Sequence, residues 1–241
     1  MTDGFPAPAS ARLPGAARLR GAWRAQRLMW TEAWCLWTRR PLPSAAWARA
    51  LGDGQRFALR RGSWMSVLVP MVVFSQFVDV LVAQGAIHVV AAGRRALLLH
   101  ALLLLASLWT VAWAVSLRSA TRHVGHVLDA HALTLAVGFA HVCRVPLAAI
   151  AGVRAIDHRS ARGHQDWYDV HGLEPREVTC LAALDAPTLL IELRSGAAGA
   201  WWTRHGVRRP LRRWIAVQAD EPAAMAGAIA ARLAPAIACD A

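Results

Sequence analysis

Lysine is absent from this chain. All 27 basic residues are arginine, set against 15 acidic ones, and the net charge is +12. Genomic base composition accounts for a missing lysine as readily as a demand for guanidinium chemistry does, so the inference rests on charge alone. A basic chain has two common partners, anionic lipid headgroups and nucleic acid. Cysteine is scarce: Cys35, Cys143, Cys180 and Cys239 are the four present, and no two form a CxxC pair. Such spacing supports neither a zinc site nor a disulfide framework, so all four read as free thiols. The sequence also lacks a GxSxG nucleophile elbow, a phosphate-binding glycine loop, a kinase signature and an HExxH motif, which leaves no motif-level enzyme class. No cleavable leader is expected, because the first apolar run of sufficient length begins near Ser63.

What the chain has in excess is apolar residues, 56% of the total, with a mean hydropathy of +0.32. The organising stretch is 96–117, ALLLHALLLLASLWTVAWAVSL, with Arg94 and Arg95 before it and Arg118 and Arg122 after it. A bilayer core takes about 20 apolar residues as a helix, and a helix apolar on every face does not suit a soluble surface. These residues therefore predict a transmembrane helix. A second span is predicted at 64–83, where the apolar residues offset the insertion cost of Asp79. Residues 85–93 are expected to make the turn between them. Arg56, Arg60, Arg61, Arg118 and Arg122 flank the outer ends of this hairpin, against Arg94 and Arg95 at its tip. The excess places both termini in the cytoplasm.

The amino-terminal segment, 1–60, is basic. Residues 1–15 carry three prolines and read as extended chain, and 16–38 read as a helix with Trp23, Trp30, Trp34 and Trp37 on one face. An aromatic face beside Arg20, Arg24 and Arg27 suits a headgroup boundary, and equally a helix packed on the protein's own domain. The Arg39-Arg40-Pro41-Leu42-Pro43 stretch ends it, and Ser44 is expected to cap a short helix reaching Leu51. Gly52-Asp53-Gly54 is a turn.

Within the hairpin, 61–120, Gln76 and Asp79 share a helical face, as do His100, Ser107 and Thr110 on the second span. Asp79 and His100 both lie a few turns from the tip and form a candidate intramembrane polar pair. Such a pair serves proton or ligand sensing, or fixes helix packing through a hydrogen bond.

From Thr121 the periodicity changes from helical to alternating. Strands are predicted around 133–137, 142–145, 150–156, 178–184, 188–194 and 214–218, with a closing helix over 221–233 capped by Asp220. The run HVLDAHALTLAVGFAHVCRVPLAAIAGVRAI, with its VPLAAI connection, resembles the opening of bacterial pleckstrin-homology-like domains, which often follow a two-helix membrane hairpin. The ending WIAVQADEPAAMAGAIAARL is similar to their last strand and closing helix, and RRGSWMSVLVPMVVFSQFVDVLVA to the hairpin of uncharacterised bacterial membrane proteins of this layout. The resemblance implies a membrane helical hairpin followed, over 121–241, by a PH-like split barrel with a C-terminal capping helix, and it implies no chemistry. The polar stretch 155–176 departs from it.

Two groups of residues are candidate sites. Trp201, Trp202, Arg204, Arg208, Arg209, Arg212 and Arg213 form a basic aromatic edge. Arginines there attract anionic phospholipid, and tryptophan suits the interface. A solvated basic edge that keeps the sheet from pairing with other chains fits the same residues. Nucleic acid is not the expected partner, since no recognition helix or aromatic platform accompanies the patch. His158, His164, Asp166 and His171, with Asp157 and Asp169, crowd one loop and are weak metal candidates without a recognised ligand spacing. No metal or other cofactor is expected. The sequence as a whole reads as a non-enzymatic integral membrane protein whose β domain docks the anionic bilayer surface or a protein partner. The alternatives are a self-assembling scaffold, or homo-oligomer, that organises other membrane proteins, and a metal-dependent enzyme built on the 157–171 loop.

Overall fold

The computed structural model describes residues 15–59, 65–90, 93–139, 141–156, 164–182, 186–197, 199–204 and 207–238. Two long helices form the expected hairpin: α3 (Met65–Val90) and α4 (Arg94–His123). Both are long and apolar enough to cross a membrane. Helix α3 continues past Gly85, so the turn is shorter than the sequence suggests and leaves only the region around Gly93 to reverse the chain. Gly93 takes a left-handed φ of 59°, which a side chain would oppose. The outward faces carry Phe74, Phe77, Leu81, Val82, Leu98, Leu102 and Leu105, all strongly exposed.

Helix α1 (Gly15–Thr38) packs along the last part of α4. Ser116 donates its hydroxyl to Met29 O at 2.7 Å, and Ser119 donates to Glu32 Oε1 at 2.6 Å. Both pairs are separated by 87 residues, so the two helices run parallel. The buried stripe of α1 is Met29, Glu32 and Cys35. The tryptophan face looks outward instead: Trp23 is 69% and Trp37 84% exposed. The buried stripe is the packed helix that one sequence reading expects, and the tryptophan face is left free of the protein's own core. The last turns of the 96–117 stretch are covered by protein, with Ala114 and Ser116 fully buried.

Arg39 ends α1 with a φ of 54°, and the Arg40 N–H returns to Cys35 O at 2.9 Å. Pro41 then prevents continuation. The short helix α2 (Pro43–Ala50) starts from Leu42 without a side-chain cap. Ser44 is not the cap expected of it, because proline takes the first helical position and Ser44 falls inside. Its hydroxyl and its N–H are used elsewhere, on Glu32 Oε1 at 2.5 Å and Oε2 at 2.9 Å. Glu32 is thus fully buried, with three donors on one carboxylate from α1's two neighbours, α2 and α4.

The remaining chain forms two sheets. The first contains β1 (Gln55–Phe57), β2 (His126–Leu128), β3 (Ala132–Val137), β4 (His141–Pro146), β8 (Trp201–Arg204) and β9 (Val207–Arg209), in the order β1-β2-β3-β4-β8-β9. The second contains β5 (Ile150–Ala155), β6 (Val178–Cys180), β7 (Leu189–Leu193) and β10 (Trp214–Val217), in the order β5-β7-β10-β6. Pairing is antiparallel except between β10 and β6. The sheets do not close into a barrel. Strands β1 and β2 are too short for a clear alternation, and the sequence does not reveal them. They pair because Gly54 and Gly125 allow close approach: a Cβ on Gly125 would lie 2.4 Å from Phe57 O. Helix α5 (His164–Val170) interrupts the stretch read as loop, and α6 (Pro222–Ala238) closes the chain against β5. Leu133, Leu135, Val145, Ile150, Ile191, Ile215, Met225 and Ile229 fill the main core. The α4 terminus joins this body directly, since Gly138 in the β3–β4 turn meets Ala120 and Thr121.

His126 is fully buried in the first sheet. Its Nε2 donates to Gln218 O at 2.7 Å, and its Nδ1 accepts from the Ala136 N–H at 3.3 Å. Burial pushes its pKa down to about 4, against weaker opposing contributions from the Gln218 carbonyl and Asp220. Between pH 6.5 and about 4 the unfolded chain binds a proton that the folded chain refuses. Stability is therefore present above pH 6.5 and falls through that window, by roughly 3 kcal/mol in all. Denaturant unfolding in micelles at pH 7 and pH 4.5 checks this, and a His126→Gln chain should lose the steepest part of the slope.

Glu32→Ala leaves three buried donors without an acceptor. It should lower unfolding stability by about 3 kcal/mol and expose α1 to protease. An unchanged denaturation midpoint would show that the carboxylate does not hold these helices together.

Candidate functional site

The basic aromatic edge lies on a hairpin. Strand β4 pairs with β8 so that Cys143 faces Trp202 and Arg144 faces Trp201. Strand β9 then pairs with β8 and forms the free edge of the sheet. Successive strand residues point to opposite faces, so the two tryptophans part company. Trp202 packs against the main core, and its indole Nε1 donates to Pro210 O at 2.9 Å. Trp201 packs against Ala48, Val124, Ala136 and Val142, on the side of the sheet where α2 and the end of α4 sit.

Each tryptophan carries its own arginine. The Arg208 guanidinium lies 4.8 Å from the Trp201 ring centre, and that of Arg209 lies 5.9 Å from Trp202. A guanidinium held over an indole loses less conformational freedom on binding an anion, and keeps its donors available. The hairpin is also reached by α1, which contacts β9.

Arg212 and Arg213 are differently employed. Arg212 donates to Pro175 O at 2.6 Å and to Val178 O at 3.4 Å, and its backbone N–H bonds Thr179 Oγ1. These contacts join the β9–β10 connection to β6. Arg213 forks onto Glu192 Oε1 at 2.7 and 3.2 Å and lies over Trp214, as does Arg154. Arg204 stands opposite His141 in the β4–β8 register. A cleft of about 280 Å³ opens between Trp202, Arg209, Arg212 and Thr179. Thus Arg209 and Arg212 share one side of the hairpin, and Arg208 belongs to the other with Trp201.

In the membrane hairpin, Asp79 accepts from Ser75 Oγ and Gln76 Nε2 of its own helix, both at 3.4 Å. His100 Nδ1 lies 2.7 Å from Ala96 O, also on its own helix. Asp79 is exposed and His100 half-buried. Of the metal candidates, Asp157 and His158 lie outside the described residues. His164 and Asp166 belong to α5, and Asp169 is exposed. His171 sits against Trp167 at 5.1 Å, where burial and then the charge of Arg154 push its pKa down. Among the described residues no three His, Cys, Asp or Glu side chains gather as a metal site. Burial raises the pKa of Cys143, and of Cys180 too, which leaves both as weak nucleophiles.

Sequence reasoning missed Glu32, Ser44 and Ser119 as a unit. The available signal was a lone carboxylate within an otherwise basic and aromatic helix. Glu192, the partner of Arg213, stood in plain sight as the polar member of an alternating strand. Comparison with known protein families, with curated proteins and with solved structures finds no match.

The two classes of arginine should separate in stability. Arg208→Gln and Arg209→Gln are each expected to cost less than about 1 kcal/mol. Arg212→Ala, which strands two carbonyls, should cost about 1–2 kcal/mol. Parallel denaturant curves in micelles check the order, and a reversed order would contradict the assignment of Arg212 as a structural tie.

Proposed function

We propose that the chain is a non-enzymatic integral protein of the bacterial inner membrane, with both termini cytoplasmic. Its α3–α4 hairpin spans the bilayer, and its PH-like β domain docks the β8–β9 edge on the anionic headgroup layer. Aromatic and basic residues gathered at one level of the helical layer support the spanning reading. Trp30 meets Trp109 with ring centres 4.5 Å apart, and Trp113 is exposed one turn further along α4. Arg24 and Arg27, both exposed, lie on α1 beside that region. The 18 residues from 96 to 113 make a helix of about 27 Å, close to the bilayer's hydrocarbon thickness of about 30 Å. Tryptophan and arginine are the residues that suit the boundary just beyond it. The closing helix α6 across β5 supports the PH-like reading; the open sheets and the parallel β6–β10 pair are where the chain departs from a split barrel.

The observation that carries the docking is the stacking of Arg208 on Trp201 and of Arg209 on Trp202 at a free sheet edge. Clustered arginines near an anionic surface attract it by about 1 kcal/mol each, and salt weakens that attraction. Strands 201–209 should therefore exchange amide hydrogens more slowly when the full chain is held in anionic nanodiscs than in zwitterionic ones. Raised salt should remove the difference, as should Arg208→Gln with Arg209→Gln. Equal exchange in the two lipids would sink the docking reading and favour a solvated edge.

A further inference from the structure

We infer that the α3–α4 hairpin self-associates in the bilayer through the face of α3 that carries Asp79, with a second copy of this chain as the occupant. The inference rests on the membrane-spanning reading above. Asp79 lies near the middle of the 26-residue α3, where the hydrocarbon is deepest. Its side chain is exposed, at the margin of the face toward α4. The seam toward α4 is made by the less exposed positions Val72, Gln76, Val80, Ala83 and Ile87, and Asp79 projects beside it. Ser75, one turn earlier, is exposed on the same flank. Over 71–83 and 97–109, the central turns of both helices, Ser75 and Asp79 are the exposed polar residues; every other exposed position there is apolar.

A carboxyl in hydrocarbon requires better partners than lipid tails supply. Its contacts within α3, both 3.4 Å, are long for hydrogen bonds to a carboxyl oxygen. The cluster is also self-complementary. Ser75 and Gln76 bring donors, and Asp79 brings acceptors, all within one turn. A two-fold axis along the membrane normal sets equal depths opposite each other. Asp79 of each copy then lies beside its counterpart, with Ser75 of the other copy one turn away as the donor on the same flank. The surrounding flank includes Met71, Val78, Val82 and Ala86, with no large ring to hold the helices apart. An unrelated partner would have to bring matching donors at the same depth, whereas a second copy has them already.

The full chain in liposomes tests this, after alkaline carbonate washing establishes that it is inserted. Single-molecule photobleaching over a dilution series in lipid should show dimers that dissociate on dilution. Asp79→Leu should weaken the dimer about tenfold, in line with 1–2 kcal/mol for a polar contact between membrane helices. Oxidative cross-linking should join Val82→Cys copies above the wild-type background. Leu81→Cys, on the opposite side of α3, should not cross-link. An inserted chain that stays monomeric at all lipid ratios, or an Asp79→Leu chain that dimerises undiminished, would overturn the inference alone. Release of the chain by carbonate would overturn the spanning reading and this inference together.

Discussion

The Glu32 carboxylate is the contact on which the arrangement of helices depends. It is fully buried, and three donors converge on it from Ser44 and Ser119. A buried carboxylate is costly unless its lone pairs are engaged, so the three helices that supply and receive these bonds have little freedom to slide. One turn away, Ser116 bonds Met29 O and repeats the same 87-residue offset. The offset fixes the level of α1 along α4. That level sets Arg24 and Arg27 beside positions 111 and 114 of α4, and the Trp30 ring reaches Trp109 on the same helix.

A second consequence is mechanical. Helix α4 runs unbroken for 30 residues, from lipid-suited leucines to a terminus buried against the β body. Its last turns lie against α1, α2 and the β3–β4 turn. Strand β1, which follows α2, pairs with β2, which follows α4. The two segments that flank the hairpin in sequence are therefore adjacent in the first sheet. Edge strand β9, at the far side of that sheet, is short and carries Arg208 and Arg209. Charges on an edge strand oppose pairing with other strands, and in the proposed docking the same two arginines face the anionic surface.

The hairpin and most strands are legible in the sequence because their periodicity is unambiguous. The alternation of Leu189, Ile191 and Leu193 marks β7, and uniform hydrophobicity marks α4. Strands β1 and β2 are not legible, since three residues give no period and their pairing depends on Gly54 lying against Leu128 and Gly125 against Phe57, contacts between segments about 70 residues apart. The tryptophans of α1 signal a special face, yet that face is the exposed one; the buried face is marked only by Glu32, which propensity alone assigns to solvent. At the candidate site, composition reveals five arginines but not their division of labour. Stacking on Trp201 and Trp202, or bonding to Glu192 and to the carbonyls of Pro175 and Val178, is decided by strand register and by contacts distant in sequence.

The central claim is that the outer faces of α3 and α4 meet lipid, and that the hydrocarbon ends near Trp109 and Trp113. The measurement that tests it most directly is a depth profile from nitroxides placed singly at Leu98, Leu102, Leu105, Leu108, Trp113 and Trp23 of the vesicle-reconstituted chain. Oxygen should broaden the signal most at 102 and 105, and a water-soluble nickel complex should dominate at 23 and rise again by 113. A uniform nickel response across 98–108 would contradict it, and would mean that these leucines are covered by protein in a water-soluble assembly.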